Sequence, residues 1–191
     1  MFLRKNEFKR LLKSAYKGGL VVGNTGERIY LSGWGWEMDI LREYLPKEIL
    51  AQIIELAGEL PEEGESFSST KEGNQYECRT LEDMTVAVRG TSFPIEMTKV
   101  IFDSSKTAPT RIYQISSTGK IVLVYLSDLD MIDNRVIDTY NGEIEAMGPL
   151  YAPGEGIFWK NNVMTYKSLY GDTTEEEQEL IKKLEGQQLW N

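Results

Sequence analysis

Two hydrophobic periods organise the first eighty residues. From Asn6 to Tyr16, Phe8, Leu11, Leu12 and Ala15 recur at helical spacing, while Lys5, Lys9, Lys13 and Lys17 follow an i, i+4 row on another face. Gly18-Gly19 ends that helix. Leu20–Val22 and Arg28–Leu31 read as strands joined by the turn-forming Gly23-Asn24-Thr25-Gly26. Trp34, Trp36 and Met38 then alternate with small or charged residues, which predicts a third strand through Trp36–Ile40. Pro46 suits the first turn of a second helix, whose apolar face is Ile49, Leu50, Ile53, Ile54, Leu56 and Ala57. Glu48, Gln52, Glu55 and Glu59 line its other side, and it ends near Gly58–Pro61. The charged turn Glu62-Glu63-Gly64 leads into a polar, strand-like stretch from Ser66 to Arg79.

Beyond it, Met84–Arg89, Arg111–Ser116 and Lys120–Leu126 read as strands, the last two joined by Ser117-Thr118-Gly119. Pro94–Phe102 fits strand or helix. Ile144–Met147 and Ile157–Tyr166 are weaker strands around the turn Pro149–Gly156. Asp172-Thr173-Thr174 caps a final helix, Glu175–Leu184, with acids in its first turn and Lys182-Lys183 in its last. Helix, strands, helix, strands in that order predict an α+β fold: an antiparallel sheet with helices packed on one side. The chain reads as a single domain over residues 1–191, divisible into a half at 1–79 and a strand-rich half at 80–191 that ends in a helix.

Composition narrows the chemistry. The 191 residues contain no histidine, which excludes Ser-His-Asp and Cys-His nucleophile systems and His-ligated metal sites within this chain. The single Cys78 has no imidazole partner and no disulfide mate, so it reads as an inert, buried thiol in a reducing, cytoplasmic compartment. The longest apolar run, Ile121–Leu126, is far short of a membrane span, and Lys9, Arg10 and Lys13 interrupt any leader-like stretch. No membrane partner is expected.

Charge changes the picture most. Residues 1–17 hold six basic groups and one acid, a net +5, whereas the remainder carries 15 basic and 29 acidic groups, a net −14. Lys5, Lys9, Arg10, Lys13 and Lys17 are the candidate nucleic-acid contacts, because cations one helical turn apart can track a phosphate backbone. The same row also fits a solvated helix face, or a membrane-surface helix with Phe2, Leu3 and Phe8 as its buried side.

Other motifs have plainer readings. Asp128, Asp130 and Asp133 could hold Mg²⁺ or Ca²⁺, but Asp133 and Thr139 stand where a Ca²⁺ loop needs Gly and Glu, so they read as polar punctuation after a strand. There is no phosphate-binding glycine loop. Gly33 and Gly35 beside Trp34 and Trp36 offer an aromatic contact surface or simply core. The end, Gln187-Gln188-Leu189-Trp190-Asn191, is similar to the glutamine-led peptides that dock on sliding clamps, and reads more simply as a tail packed on its own domain.

Residues 6–78 resemble the opening half of a bacterial DNA sliding clamp domain of the DNA polymerase III beta-subunit type. The resemblance runs through Glu7-Phe8-Lys9-Arg10-Leu11-Leu12-Lys13, Leu20–Val22, Arg28-Ile29-Tyr30-Leu31-Ser32-Gly33, Trp36-Glu37-Met38-Asp39-Ile40, Leu45-Pro46-Lys47-Glu48-Ile49-Leu50 and Leu60-Pro61-Glu62-Glu63-Gly64-Glu65. It covers under half the chain, whose length suits about one and a half clamp domains. The resemblance implies pseudo-repeated α/β units in a ring or homo-oligomer, helices facing duplex DNA through Lys and Arg, and no catalytic residues. The acidic polar face of the second helix and the acidic final helix depart from that pattern. The expectation is therefore a non-enzymatic, DNA-associated binding or accessory protein, clamp-like and acting in processivity, without cofactor or bound metal. The acidic runs Glu55–Glu65 and Asp172–Glu179 support the alternative of an acidic protein-interaction module, an inhibitor or decoy with a protein partner and no nucleic acid. A metal-dependent enzyme using Asp128, Asp130 and Asp133 is the third reading.

Overall fold

The computed structural model describes residues 1–77, 80, 82–86, 91–103, 108–138, 146–169 and 173–189. Cys78, Ile144, Asp172 and Trp190 lie outside them, so the readings made for those residues find no counterpart here.

Helix α1 (Lys5–Gly18) buries Phe8 and Leu12 and stops at Gly19, which releases the chain into β1 (Leu20–Asn24). Asn24 organises the next reversal: its side-chain oxygen accepts from Gly26 N–H at 2.9 Å, and its amide donates to the Pro61 carbonyl. β2 (Arg28–Gly33) and β3 (Trp36–Leu41) complete a meander in which Ile29 faces Ile40 and Leu31 faces Met38. The period of two puts Trp36, Met38 and Ile40 in the core and turns Glu37 and Asp39 to the other face. There Asp39 takes Arg28 at 2.8 Å and the Val86 N–H at 3.1 Å.

After Pro46, α2 (Lys47–Ala57) packs against both α1 and the strand β4 (Ser66–Thr70). Its buried arc is Ile49, Gln52, Ile53 and Ala57, while Ile54 is exposed. Leu50 and Leu56 pack partly buried against the same core, so Ile54 is the one expected apolar position left exposed; the polar placement of Gln52 is corrected, since Gln52 is buried and donates to Glu55 at 2.9 Å. The stretch expected from Ser66 is a hairpin of β4 and β5 (Gly73–Glu77) around Lys71-Glu72.

In the second half, Met84 closes a 3-10 turn (Glu82–Met84) instead of starting a strand. Met84 and Val86 are nevertheless buried, against Val21 and Tyr30 on the outer face of β1–β2. Their hydrophobicity reflects a cover over the sheet, which sequence spacing alone does not separate from strand pairing. Phe93–Phe102 is strand β6, followed by the hairpin β7 (Thr110–Ile115) and β8 (Ile121–Tyr125). An unforeseen short helix, α3 (Leu126–Asp130), and a two-residue strand, β9 (Ile137–Asp138), come next.

β10 (Ala146–Ala152) runs straight through Pro149, at a register shift between Met147 and Leu150. A bulge is where a sheet tolerates a residue that cannot donate. The expected turn over Pro149–Gly156 is thus shorter, and the expected single strand Ile157–Tyr166 is two: β11 (Gly156–Lys160) and β12 (Met164–Ser168). Asn161 makes that reversal by accepting from the Val163 and Met164 N–H groups. α4 (Glu175–Leu184) starts on a capping box in which Thr174 and Glu177 each satisfy the other's backbone N–H.

The result is an α+β fold on one large sheet of order β5-β4-β1-β2-β3-β12-β11-β10-β6-β7-β8, antiparallel throughout, with β9 added parallel to β10. The sheet cannot be flat. β12 and β8 are five strands apart, about 24 Å at the usual spacing, yet the Ser168 hydroxyl on β12 donates at 2.6 Å to Asp128, three residues beyond β8. Leu3 also bridges Ile132, tying the N-terminus to the segment after α3. Large sheets curl in this way to close a core.

One continuous core joins Phe8 and Leu12 of α1, the inner faces of β1–β4, and Tyr113, Val122 and Val124 of β7 and β8. The apolar run at β8 is buried on both faces. Val122 and Val124 enter the main core, and Ile121 and Leu123 are covered from the opposite side by Leu180, Ile181, Leu184 and Leu189. Helices α1 and α2 thus share one side of the sheet, and α4 closes the other side at its far end. No helix among the described residues is long and apolar enough to cross a membrane.

Gly33 sits where α1 crosses β2. A Cβ there would lie 2.7 Å from the Ala15 Cβ and 2.7 Å from Trp36 Nε1. Gly33→Ala is expected to destabilise the fold by about 1–3 kcal/mol. Because Ala15 shares the clash, chemical denaturation of the Gly33→Ala/Ala15→Gly pair should show a loss at least about 0.5 kcal/mol smaller than the sum of the single losses. Additive losses would mean that α1 does not rest on this strand.

Candidate functional site

The five cations read from the sequence all lie on α1, but the structure divides them. Lys5 reaches across to α2 and binds Glu48 at 3.2 Å, and this hydrogen bond holds the Glu48 carboxyl below its usual range, with Lys9 adding to the effect. Arg10 turns the other way, and its Nη1 donates to both carboxylate oxygens of Glu7 at 2.8 and 2.9 Å. Lys13 and Lys17 are exposed and meet no acid among the described residues. The acidic polar face of α2 therefore engages one end of the lysine row and leaves the other open.

On the Arg10 side, α1 forms one wall of a cleft of about 640 Å³. The facing walls are the β2–β3 turn, with Trp34, Gly35 and Trp36, and the end of β8 and α3, with Tyr125, Ser127, Asp128 and Asp130. The curl of the sheet brings these walls together, since β3 and β8 are six strands apart in the sheet. The β2–β3 reversal has only two residues, Trp34 and Gly35. Gly35 adopts φ +81°, a conformation glycine takes without strain, and its carbonyl accepts from Leu169 N–H at 2.8 Å. This tight turn projects Trp34 at its tip, 86% exposed, while Trp36 two residues on is 1% exposed. Trp36 packs edge-on against Phe8 and stacks on Tyr166. The two tryptophans joined in one sequence reading thus divide, one into the core and one onto the surface.

Asp128 is the other unusual side chain. It is 7% exposed, and its recorded hydrogen-bond partners are hydroxyls, Ser168 and Ser127, with no cation paired to it among the described residues. A buried carboxylate without a counter-charge is unfavourable. Burial accordingly pushes its pKa up to about 6, against the lowering effect of the two serines. The Tyr166 hydroxyl is wholly buried without a hydrogen-bond partner among the described residues, and its pKa is raised by burial and then by the charge of Asp128.

Asp128, Asp130 and Asp133 do not converge. Asp133 binds Arg135 at 2.6 and 2.8 Å, which holds its carboxyl down at about 2, and the backbone carbonyl of Asp130 accepts from Arg4. Among the described residues no three potential metal ligands come together. At the other end of the chain Leu189 folds back on β7, its N–H donating to Gln114 at 3.0 Å.

The sequence pointed to α1 but not to the cleft. Trp34 between two glycines was the available sign of an exposed tip, whereas the burial of Asp128 and its bond to Ser168 depend on contacts 40 residues apart. The chain matches no family model, no curated protein and no solved structure.

The Asp128 environment has a pH consequence. Its folded pKa near 6 exceeds the unfolded value near 4, so the native state holds the proton more tightly between those pH values. Stability from this group therefore falls as pH rises from about 4 to about 6, and the loss persists above that window. Asp128→Asn, which keeps an acceptor for Ser168, should raise stability by up to about 3 kcal/mol at pH 7.5 and by much less at pH 4. Denaturant titrations of both proteins at the two pH values check this; an equal effect at both would exclude the charge as its cause.

Proposed function

We propose that this is a non-enzymatic, DNA-associated binding protein that contacts duplex phosphates through α1. The observation that carries the reading is the state of that helix. Phe8 and Leu12 seal its inner face into the core, while Lys13 and Lys17 stand exposed one turn apart with no acid partner among the described residues. A helix fixed in this way presents its cations at little further conformational cost, and each phosphate contact releases counterions. Lys9 lies between Lys13 and Lys5 on the same row, and Arg10 adds a cation that exchanges a weak, exposed pair with Glu7 for a phosphate.

The resemblance of residues 6–78 to a sliding clamp supports the finer reading of a clamp-like accessory or processivity factor. In that reading α1 and α2, side by side on one face of the sheet, form the DNA side. The acidic remainder of the chain limits non-specific contact with polyanions elsewhere on the surface.

The test is a duplex-binding titration across a salt series. About three phosphate contacts predict that log K falls with log salt at a slope near −3, and that a Lys5/Lys9/Lys13/Lys17→Glu variant loses detectable binding while keeping its melting temperature within a few degrees. Undetectable affinity at low salt, or an unchanged variant, overturns the reading. The engagement of Lys5 by Glu48 favours a second reading, an acidic protein-interaction module. In that case a nuclease-resistant protein complex forms and the duplex titration is flat.

A further inference from the structure

The cleft between α1, the β2–β3 turn and α3 has a composition unlike that of the lysine row on the same helix. Its walls bring three carboxylates, Glu7, Asp128 and Asp130, against one cation, Arg10, which Glu7 already holds at 2.8 Å. Asp128 and Asp130 are left without a paired cation among the described residues, and Asp128 is more than nine-tenths buried. Such a group is normally matched by a counter-charge, and here hydroxyls alone serve it. A large aromatic face stands at the same opening, because Trp34 is 86% exposed although a tryptophan normally hides its ring. Carboxylates with an indole face are the combination that recognises an organic cation. The volume of about 640 Å³ is that of a small-molecule site.

We propose that this cleft binds an aliphatic di- or polyamine, with ammonium groups against Asp128 and Asp130 and the methylene chain along Trp34. Three features select this class. An amino acid or other zwitterion would set its carboxylate beside three acidic side chains, with only the exposed, Glu7-paired Arg10 to offset them. A bare divalent cation would need a third converging ligand, and no such group exists among the described residues. Two carboxylates two residues apart on α3, one recessed and one exposed, offer separate seats for two ammonium groups of one chain. The two ammonium seats lie apart from the lysine row, and Arg10 is the residue that borders both surfaces.

Spermidine is the probe, titrated into the full-length protein at pH 7.5 and low salt by calorimetry, with tryptophan emission recorded in parallel. Saturable one-to-one binding and a change in Trp34 emission are expected. Trp34→Ala should weaken binding about fivefold or more, and Asp128→Asn about tenfold or more. Trp34 is on the surface, and Asp128→Asn is expected to be the more stable protein, so loss of binding in these variants does not report unfolding. 1,4-Butanediol, which lacks the charge, should not bind, and the Lys5/Lys9/Lys13/Lys17→Glu variant should bind spermidine at least as well as the parent. The proposal is overturned by no saturation, by unchanged affinity in both variants, or by heats that NaCl of equal ionic strength reproduces.

Discussion

A file of aromatic rings runs from α1 into the middle of the sheet, and the arrangement of the molecule depends on it. Phe8 meets Trp36 edge-on at 5.9 Å, Trp36 stacks on Tyr166 at 6.4 Å, and Tyr166 meets Trp159 at 6.0 Å. These residues come from α1, β3, β12 and β11, so one set of contacts ties the N-terminal helix to strands more than a hundred residues later. Each ring buries a large apolar area and prefers these offset or perpendicular geometries. With α1 held against β3, the close approach at Gly33 becomes necessary. The Trp34–Gly35 reversal is then held beside the helix.

Closure of the sheet follows from the same packing. Tyr113, Val122 and Val124 at the far end belong to the same core as Phe8 and Met38, which requires the strands to wrap around α1 instead of spreading. Wrapping brings α3 back to β12, where Ser168 meets Asp128. It also makes a cleft out of segments that no short sequence window contains. The polar side of the sheet is managed separately: Lys167 of β12 pairs with Glu37 of β3 at 3.1 Å and Arg28 of β2 with Asp39 of β3 at 2.8 Å, so charged positions on neighbouring strands satisfy one another.

The two surfaces that flank α1 therefore differ in chemistry. On one, lysines stand toward the solvent and toward Glu48; on the other, carboxylates and an indole line a recess. A helix can carry opposite charge preferences on adjacent faces because successive residues turn by about 100°. Arg10 and Glu7, three residues apart, mark the boundary and neutralise each other across it.

The sequence by itself determined the local elements. The i, i+4 spacing of α1, Gly18-Gly19 at its end, the alternation from Trp36 to Ile40 and the acidic start of the last helix each express a rule acting within a few residues, and each appears in the structure where expected. It also predicted the α+β class, because that follows from element order. What it left open or misplaced involved contacts at long range. Pro94–Phe102 became a strand through pairing with β7 and β10, and Met84 was buried as a cover. Pro149 stayed within a strand because a bulge removed the need for its missing N–H. Only tertiary structure decided which tryptophan was core, which aspartate was buried, and which lysine met an acid. Burial and ion pairing are properties of neighbours in space, and the curl of the sheet chose those neighbours.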